Sequence, residues 1–256
     1  MSASARDLCA GARRSGKVAV VLPWQTIESV KTREGLLELR RRGERDFLIT
    51  IAGRILMTST AHRSEDELAR LSCAALAGKP RPKVMLGGLG MGFTLRTALD
   101  SLSASARVTV VDLNRPLVEW NRGPLAFLTK NAVEDPRVKI VVADVIQVIA
   151  CSPAGQFDAI VLDLYEGPHT ATNSVRDPLY GADALTRTKS ALRPGGVFAV
   201  WSEERDRAFE DRLAAAGFSV ERHKSGQGGR VHVVYVGIAG PTAGAKGRPT
   251  LRNSSR

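Results

Sequence analysis

Cysteine, histidine and aromatic residues are all scarce. The 256 residues include three cysteines, Cys9, Cys73 and Cys151, far apart and without a CxxC pair. That excludes a disulfide-stapled scaffold and points to a reducing, cytoplasmic setting. The four histidines, His62, His169, His223 and His232, are scattered with no metal-ligand spacing, so no metal site is expected. No apolar run approaches the roughly 18 residues of a membrane span. Arg13, Arg14 and Lys17 interrupt the N-terminus before "VAVVL", which predicts no cleaved leader.

What is present is ordinary for a globular chain: 43% hydrophobic and 25% charged residues. The net charge of +11 is concentrated at the ends. Residues 1–17 carry a net +3 and residues 240–256 a net +4, and both segments are rich in Gly, Ala, Ser and Arg without apolar periodicity. They are expected to be disordered basic tails. No aromatic residues interleave with their charges, so a solubilising role is favoured over specific nucleic-acid binding. The cluster "LRRRGER" (39–45) reads as a solvated turn between strands.

Between the tails the pattern divides in two. Residues 18–63 form a small N-terminal β region with short runs "KVAVVLP", "LLELRRRGERDFLITI" and "RILMTS". Alternation in "DFLITIAGRILMTS" about a central Gly predicts a β-hairpin. Residues 64–239 begin with the helix "SEDELARLSCAALAG" and continue as strands alternating with helices. The strands are expected at 84–88, 107–113, 138–144, 157–164, 196–202, 218–223 and 231–238. Helical segments lie between most of them, including "PLVEWNRGPLAFL" and "DVIQVIA". Such alternation implies an α/β fold: a seven-stranded, mostly parallel Rossmann-like sheet with helices on both faces. A Gly-rich loop at 225–229 is too short for a crossover, so the last two strands should pair as an antiparallel hairpin.

Ligands of open parallel sheets lie beyond the carboxyl ends of the strands. The first strand of this series runs into "GGLGMG", where Gly88, Gly90 and Gly92 allow a sharp turn and close backbone approach. A dinucleotide fingerprint would place its third Gly at 93, which is Phe93, so a nucleoside without a pyrophosphate fits better. The second strand ends in Asp112, positioned to accept from ribose hydroxyls, followed by Leu113. The third ends in Asp144–Val145, where a carboxylate can accept from an adenine amino group. The fourth ends in "LDLYEGP", with Asp163 and Glu166 on the reaction side and Tyr165 and His169 as candidate substrate contacts. Gly or an acid at four successive strand ends indicates an adenosine-type ligand.

From about residue 83 to 202 the chain resembles the spermidine synthase (polyamine aminopropyltransferase) family, built on the S-adenosylmethionine-dependent methyltransferase fold. "MLGGLGMG", "VVDLN", "DPRVKIVVADV", "FDAIVLDLYEGP" and "LRPGGVFAVWSE" carry the likeness, "DPRV" followed by "AD" most tellingly. The resemblance implies a donor that is S-adenosylmethionine or its decarboxylated form, an amine acceptor and a possible homodimer. It also implies that Gly88, Gly90, Gly92, Asp112, Leu113, Asp144, Val145 and Asp163 border the donor. Asp163 and Glu166 would bind and deprotonate the amine.

Departures accompany the match. Leu89 stands where the family loop is expected to carry an Asp that anchors the donor's amino group, and Glu166 replaces a second Asp. Gln25 and His62 are the nearest counterparts of the Gln and Tyr–His residues that line the family's polyamine pocket. Three functions stay open: aminopropyl transfer, methyl transfer to a small molecule, and non-catalytic nucleoside binding on the same fold.

Overall fold

Strands rich in β-branched residues sort into two sheets in the computed structural model, which describes residues 22–169, 176–225 and 231–240. The expected tails at 1–17 and 240–256 and most of the run "KVAVVLP" fall outside these residues, apart from Gly240, Leu22 and Pro23.

The N-terminal sheet is an antiparallel meander of β1 (Gln25–Thr32), β2 (Gly35–Arg42), β3 (Asp46–Ile51) and β4 (Arg54–Thr58). The expected hairpin is β3–β4, turning through Ala52 (φ 49°) and Gly53 (φ 78°), both left-handed as a tight primed turn requires. β1 was not legible: its mostly exposed QTIESVKT has no buried face to impose an apolar alternation. β4 carries a bulge. Ile55 pairs with Thr50 and Met57 with Ile49, which leaves Leu56 as an extra residue.

The main sheet has the order β10-β11-β9-β8-β5-β6-β7. Its members are β5 (Lys83–Gly87), β6 (Arg107–Asp112), β7 (Val138–Val142), β8 (Phe157–Leu162), β9 (Leu192–Ser202), β10 (Phe218–Ser225) and β11 (His232–Ala239). β5 to β9 are parallel, whereas β11 runs antiparallel to both β9 and β10, the expected terminal hairpin. Six α-helices accompany the sheets among the described residues: α1 (Arg63–Ala74), α2 (Phe93–Ser101), α3 (Arg115–Arg122), α4 (Val145–Ala150), α5 (Ala182–Ala191) and α6 (Arg207–Ala215). The helix read through 116–128 is interrupted, because Gly123–Pro124 ends α3 and the chain resumes as a 3-10 turn at Ala126–Thr129. Cys151 is exposed just past the end of α4.

Strand alternation gives the sheet two apolar faces. Val84, Leu86, Val108, Val110 and Val161 pack with Leu68 of α1 and Leu95 of α2. Met85, Val111, Ile160, Leu162 and Phe198 pack on the other face with Leu185 of α5 and Phe209 of α6. A third cluster ties the N-terminal sheet to the rest: Leu37, Leu39, Phe47 and Ile49 meet Met91, Phe93, Leu117 and Trp120. The glycine loop is therefore gripped by both sheets.

The "DPRV" signature is structural. Asp135 forms a two-pronged pair with Arg137, through Nε at 2.9 Å and Nη2 at 2.8 Å. Arg137 Nη1 also donates to the carbonyls of Leu99 and Leu102 at the end of α2. The motif thus clamps the start of β7 to a helix C-terminus, where a cation is favoured. The Arg137 hydrogen bonds hold the Asp135 carboxyl down at about 2. A folded-state value below the unfolded one gives stability that is complete above about pH 4 and is lost as pH falls towards 2. Asp135→Asn should lower unfolding stability in urea by about 2 kcal/mol at pH 7. The deficit should shrink as the titration is repeated at pH 3.

Candidate active site

The strand order reverses beside β5, where β6 lies on one side and β8 on the other. The carboxyl ends of these strands are stitched together by backbone bonds that continue the ladder. Asp163 N–H donates to Gly87 O at 2.8 Å, Gly88 N–H to Val111 O at 2.9 Å, and Ala143 N–H to Asp112 O at 3.0 Å. Asp112, the last residue of β6, and Asp144 and Asp163, which follow β7 and β8, consequently lie at one edge together with the glycine loop, as the sequence predicts.

The three glycines serve internal approaches. A Cβ on Gly88 (φ +92°) would lie 2.1 Å from the carbonyl oxygen of Asp163. One on Gly90 would lie 2.6 Å from Met57 Sδ, and one on Gly92 2.8 Å from Asn121 Oδ1. Met57, on β4, rests on the loop and accepts from Met91 N–H at 3.1 Å. What the loop offers a ligand is backbone. Leu89, at the position where the family loop is expected to carry an Asp, is buried in the core; its N–H donates to Asp112 and its carbonyl accepts from Gly92 N–H. The whole segment from Gly87 to Phe93 contains no carboxylate.

Asp112 accepts from Leu89 N–H and Asn114 N–H, each at 2.8 Å, one on each oxygen. It is 7% exposed, and burial raises its proton affinity, with the two amides opposing and Glu34 adding to the rise. Each oxygen keeps a second lone-pair direction with which a carboxylate can accept a ribose hydroxyl. Leu113 beside it is 43% exposed, a free apolar surface. Asp144 is exposed and caps α4, accepting from Ile146 N–H at 2.8 Å. Val145 is buried against Gly87. Acids flanking an apolar ledge suit a nucleoside, so these residues fit the expected donor.

Asp163 is the most perturbed acid at this edge. Thr94 Oγ1, in the first turn of α2, donates to its Oδ2. Enclosure, then the charge of Glu65 on α1, push it up to about 7 against that hydrogen bond. Glu166 is placed differently. It is exposed at the mouth, 2.9 Å from Arg54 Nη2, and accepts from Tyr165 OH at 2.8 Å. Arg54 lies over the Tyr165 ring, 4.9 Å from its centroid. The loop is pinned from behind, since Tyr180 OH donates to Glu166 O and Ser202 Oγ to Pro168 O. His169 follows, half-buried.

Gln25 is exposed on β1. His62 stacks on Phe93 at 4.0 Å and bonds Asp66 at 2.9 Å. Sequence reasoning missed Thr94, Glu65, Met57 and Arg54. Only Thr94, in the turn after the glycines, carried a local signal. A groove of about 640 Å³ lined by Lys79, Arg81, Lys83, Asp158 and Arg193 lies at the opposite, amino edge of β5 and β8, away from these acids.

Residues 71–210 match the model of the spermine/spermidine synthase domain. The chain belongs to this family. Curated relatives are similar over about half of this chain. A polyamine aminopropyltransferase of Aeropyrum pernix is 34% identical over 123 residues, 48% of this chain and 38% of that one. Putrescine N-methyltransferase 1 of Nicotiana tabacum is 33% identical over 129 residues, 50% of this chain and 32% of that one. The match thus spans well under half the length of these relatives. The crystal structure of spermidine synthase from Thermotoga maritima shares the fold, with a TM-score of 0.69 at 19% identity over 84% of this chain and 73% of that one.

Gly88→Ala should cost at least about 3 kcal/mol of stability and abolish nucleoside binding, because its Cβ must displace backbone. Gly195→Ala, at φ +72° but with nothing within 4 Å, should cost about 1 kcal/mol and leave binding intact. Urea titration and calorimetry with methylthioadenosine compare the two.

Proposed function

We propose that the protein transfers an alkyl group from an S-adenosyl sulfonium donor to an amine, with aminopropyl transfer from the decarboxylated donor as the first reading. The observation that carries it is Asp163, which follows β8 beside the glycine loop: a half-buried residue whose carboxylate accepts from Thr94 Oγ1 and is raised to about 7 by burial and Glu65. Asp112 and Asp144 would hold the ribose and adenine, and Leu113 and Val145 would border the base.

A protonated amine has no lone pair to attack with. In this mechanism Asp163 accepts one proton from the acceptor ammonium, and the freed nitrogen attacks the carbon beside sulfur. The N–C bond forms as the C–S bond breaks, its electron pair returning to sulfur to leave a neutral thioether. Thr94 fixes the carboxyl's orientation, so that positioning lowers much of the remaining barrier. Glu166 sits at the mouth with Arg54, so the proton transfer is assigned to Asp163.

Methyl transfer from S-adenosylmethionine is the second reading. It is favoured by the loop from Gly87 to Phe93, which brings no carboxylate towards the donor's amino-acid arm. Incubation with each sulfonium donor and a panel of amines decides between them. Methylthioadenosine marks aminopropyl transfer and S-adenosylhomocysteine marks methylation. Neither product from any amine would overturn both and leave a nucleoside-binding protein.

Asp163→Asn should reduce kcat at least 10³-fold, roughly the upper range for a lost general base, while nucleoside affinity changes little. In the wild type kcat/KM should rise with pH to a plateau above about 7, since the base works only when deprotonated. Glu65→Gln removes a repelling charge and should move this limb to lower pH. Thr94→Val removes a donor that stabilises the anion and should move it higher.

A further inference from the structure

β4 lies against the glycine loop and the loop after β8, and the bulge at Leu56 determines what β4 presents to them. In a regular strand Arg54 and Met57, three residues apart, would point to opposite faces. The extra residue restores their parity, so both reach the main domain: Met57 Sδ against Gly90 and Met91, Arg54 against Tyr165 and Glu166. Ile55, between them, is 66% exposed. Three residues of strand span roughly 10 Å, so Arg54 stands at the mouth while Met57 marks the glycine loop.

We propose that Arg54 sets acceptor specificity, selecting an amine that carries a carboxylate at its far end over one that carries a second ammonium. This rests on the amine-transfer reading above. The inner end of the acceptor path is acidic, with Asp163 and Glu65 to receive an ammonium. The outer end presents a guanidinium. A diamine would bring its second cation towards Arg54, and Glu166, the charge that would otherwise attract it, is already engaged by Arg54 and Tyr165 OH. A carboxylate meets the opposite situation: a planar donor fork suited to two-pronged recognition and held over an aromatic face. Glu166 occupies only Nη2 of the half-exposed guanidinium, so a carboxylate can reach the remaining N–H donors while the Arg54–Glu166 pair stays closed.

The test compares kcat/KM for 4-aminobutyrate and 1,4-diaminobutane, equal in carbon count and different in terminal charge, within a panel of ω-amino acids, diamines and uncharged-tail monoamines. The full-length protein and its R54Q and R54E variants are used, with whichever donor yields product. Wild type should favour the amino acid at least tenfold, R54Q should lose the preference, and R54E should reverse it. Methylthioadenosine affinity should be unchanged in both variants, which shows that they fold. Preference for diamines or uncharged-tail monoamines in the wild type, or an unaltered ratio in R54E, overturns the inference and leaves amine transfer standing. Absence of either nucleoside by-product with every amine, while the donor binds, overturns amine transfer and this inference together.

Discussion

The approach of Gly88 to the carbonyl of Asp163, closer than any side chain permits, is the contact on which the site depends. It lets the loop after β5 cross the end of β8 while Asp163 N–H remains bonded to Gly87 O. With a Cβ there, β5 and β8 would have to part at their carboxyl ends. Asp163 would then leave its enclosure beside α2, and Asp112 would lose the loop amide that it holds. A single missing side chain thus couples the fold of the switch point to the chemistry proposed for it. Such coupling explains a left-handed glycine in the middle of a well-packed edge.

The enclosure of Asp163 is a compromise between opposed effects. Burial and the neighbouring Glu65 favour the neutral acid, and Thr94 favours the anion. A carboxyl left in water would be too weak a base near neutrality, and one buried without a donor would hold its proton too firmly. α1 and α2 supply the two adjusting groups from their first turns, and the same helices pack together on the sheet beneath. The tuning therefore follows from how two helix N-termini converge.

Much of this was legible in the chain. The alternation of apolar strands with helices gave the main sheet, and the acids that follow β6, β7 and β8 lie where a parallel sheet places strand-end residues. Their readability has a physical origin: in such a sheet the position of a residue relative to the strand end determines which edge it occupies. The remainder was illegible because its cause is not local. β1 is exposed and shows no alternation. Leu89 occupies a loop position that reads as ligand-facing, yet the third dimension turns it into the core. Glu65 lies 98 residues before Asp163, and only the packing of α1 against the sheet brings its charge to bear. "DPRV" was read as a family signature, and it is a clamp between β7 and α2.

The N-terminal sheet adds what the main domain lacks. A nucleoside edge requires only the carboxyl ends of a parallel sheet, which many chemistries share. Selection of an acceptor requires a second wall. In the proposal above that wall is β4, its register shifted by the extra residue at Leu56. Since side chains alternate along a strand, a one-residue shift reverses which of them face the cleft. A bulge is thus an economical way to change the substrate-facing surface without altering the fold. It keeps the β3 pairing that holds β4 in place while exchanging the charge at the mouth. The third apolar cluster makes the arrangement rigid, since Ile49 of β3 and Met91 of the loop are both buried within it. A group carried on β4 is then held at a fixed distance from the glycine loop, and discrimination by terminal charge requires that fixed distance.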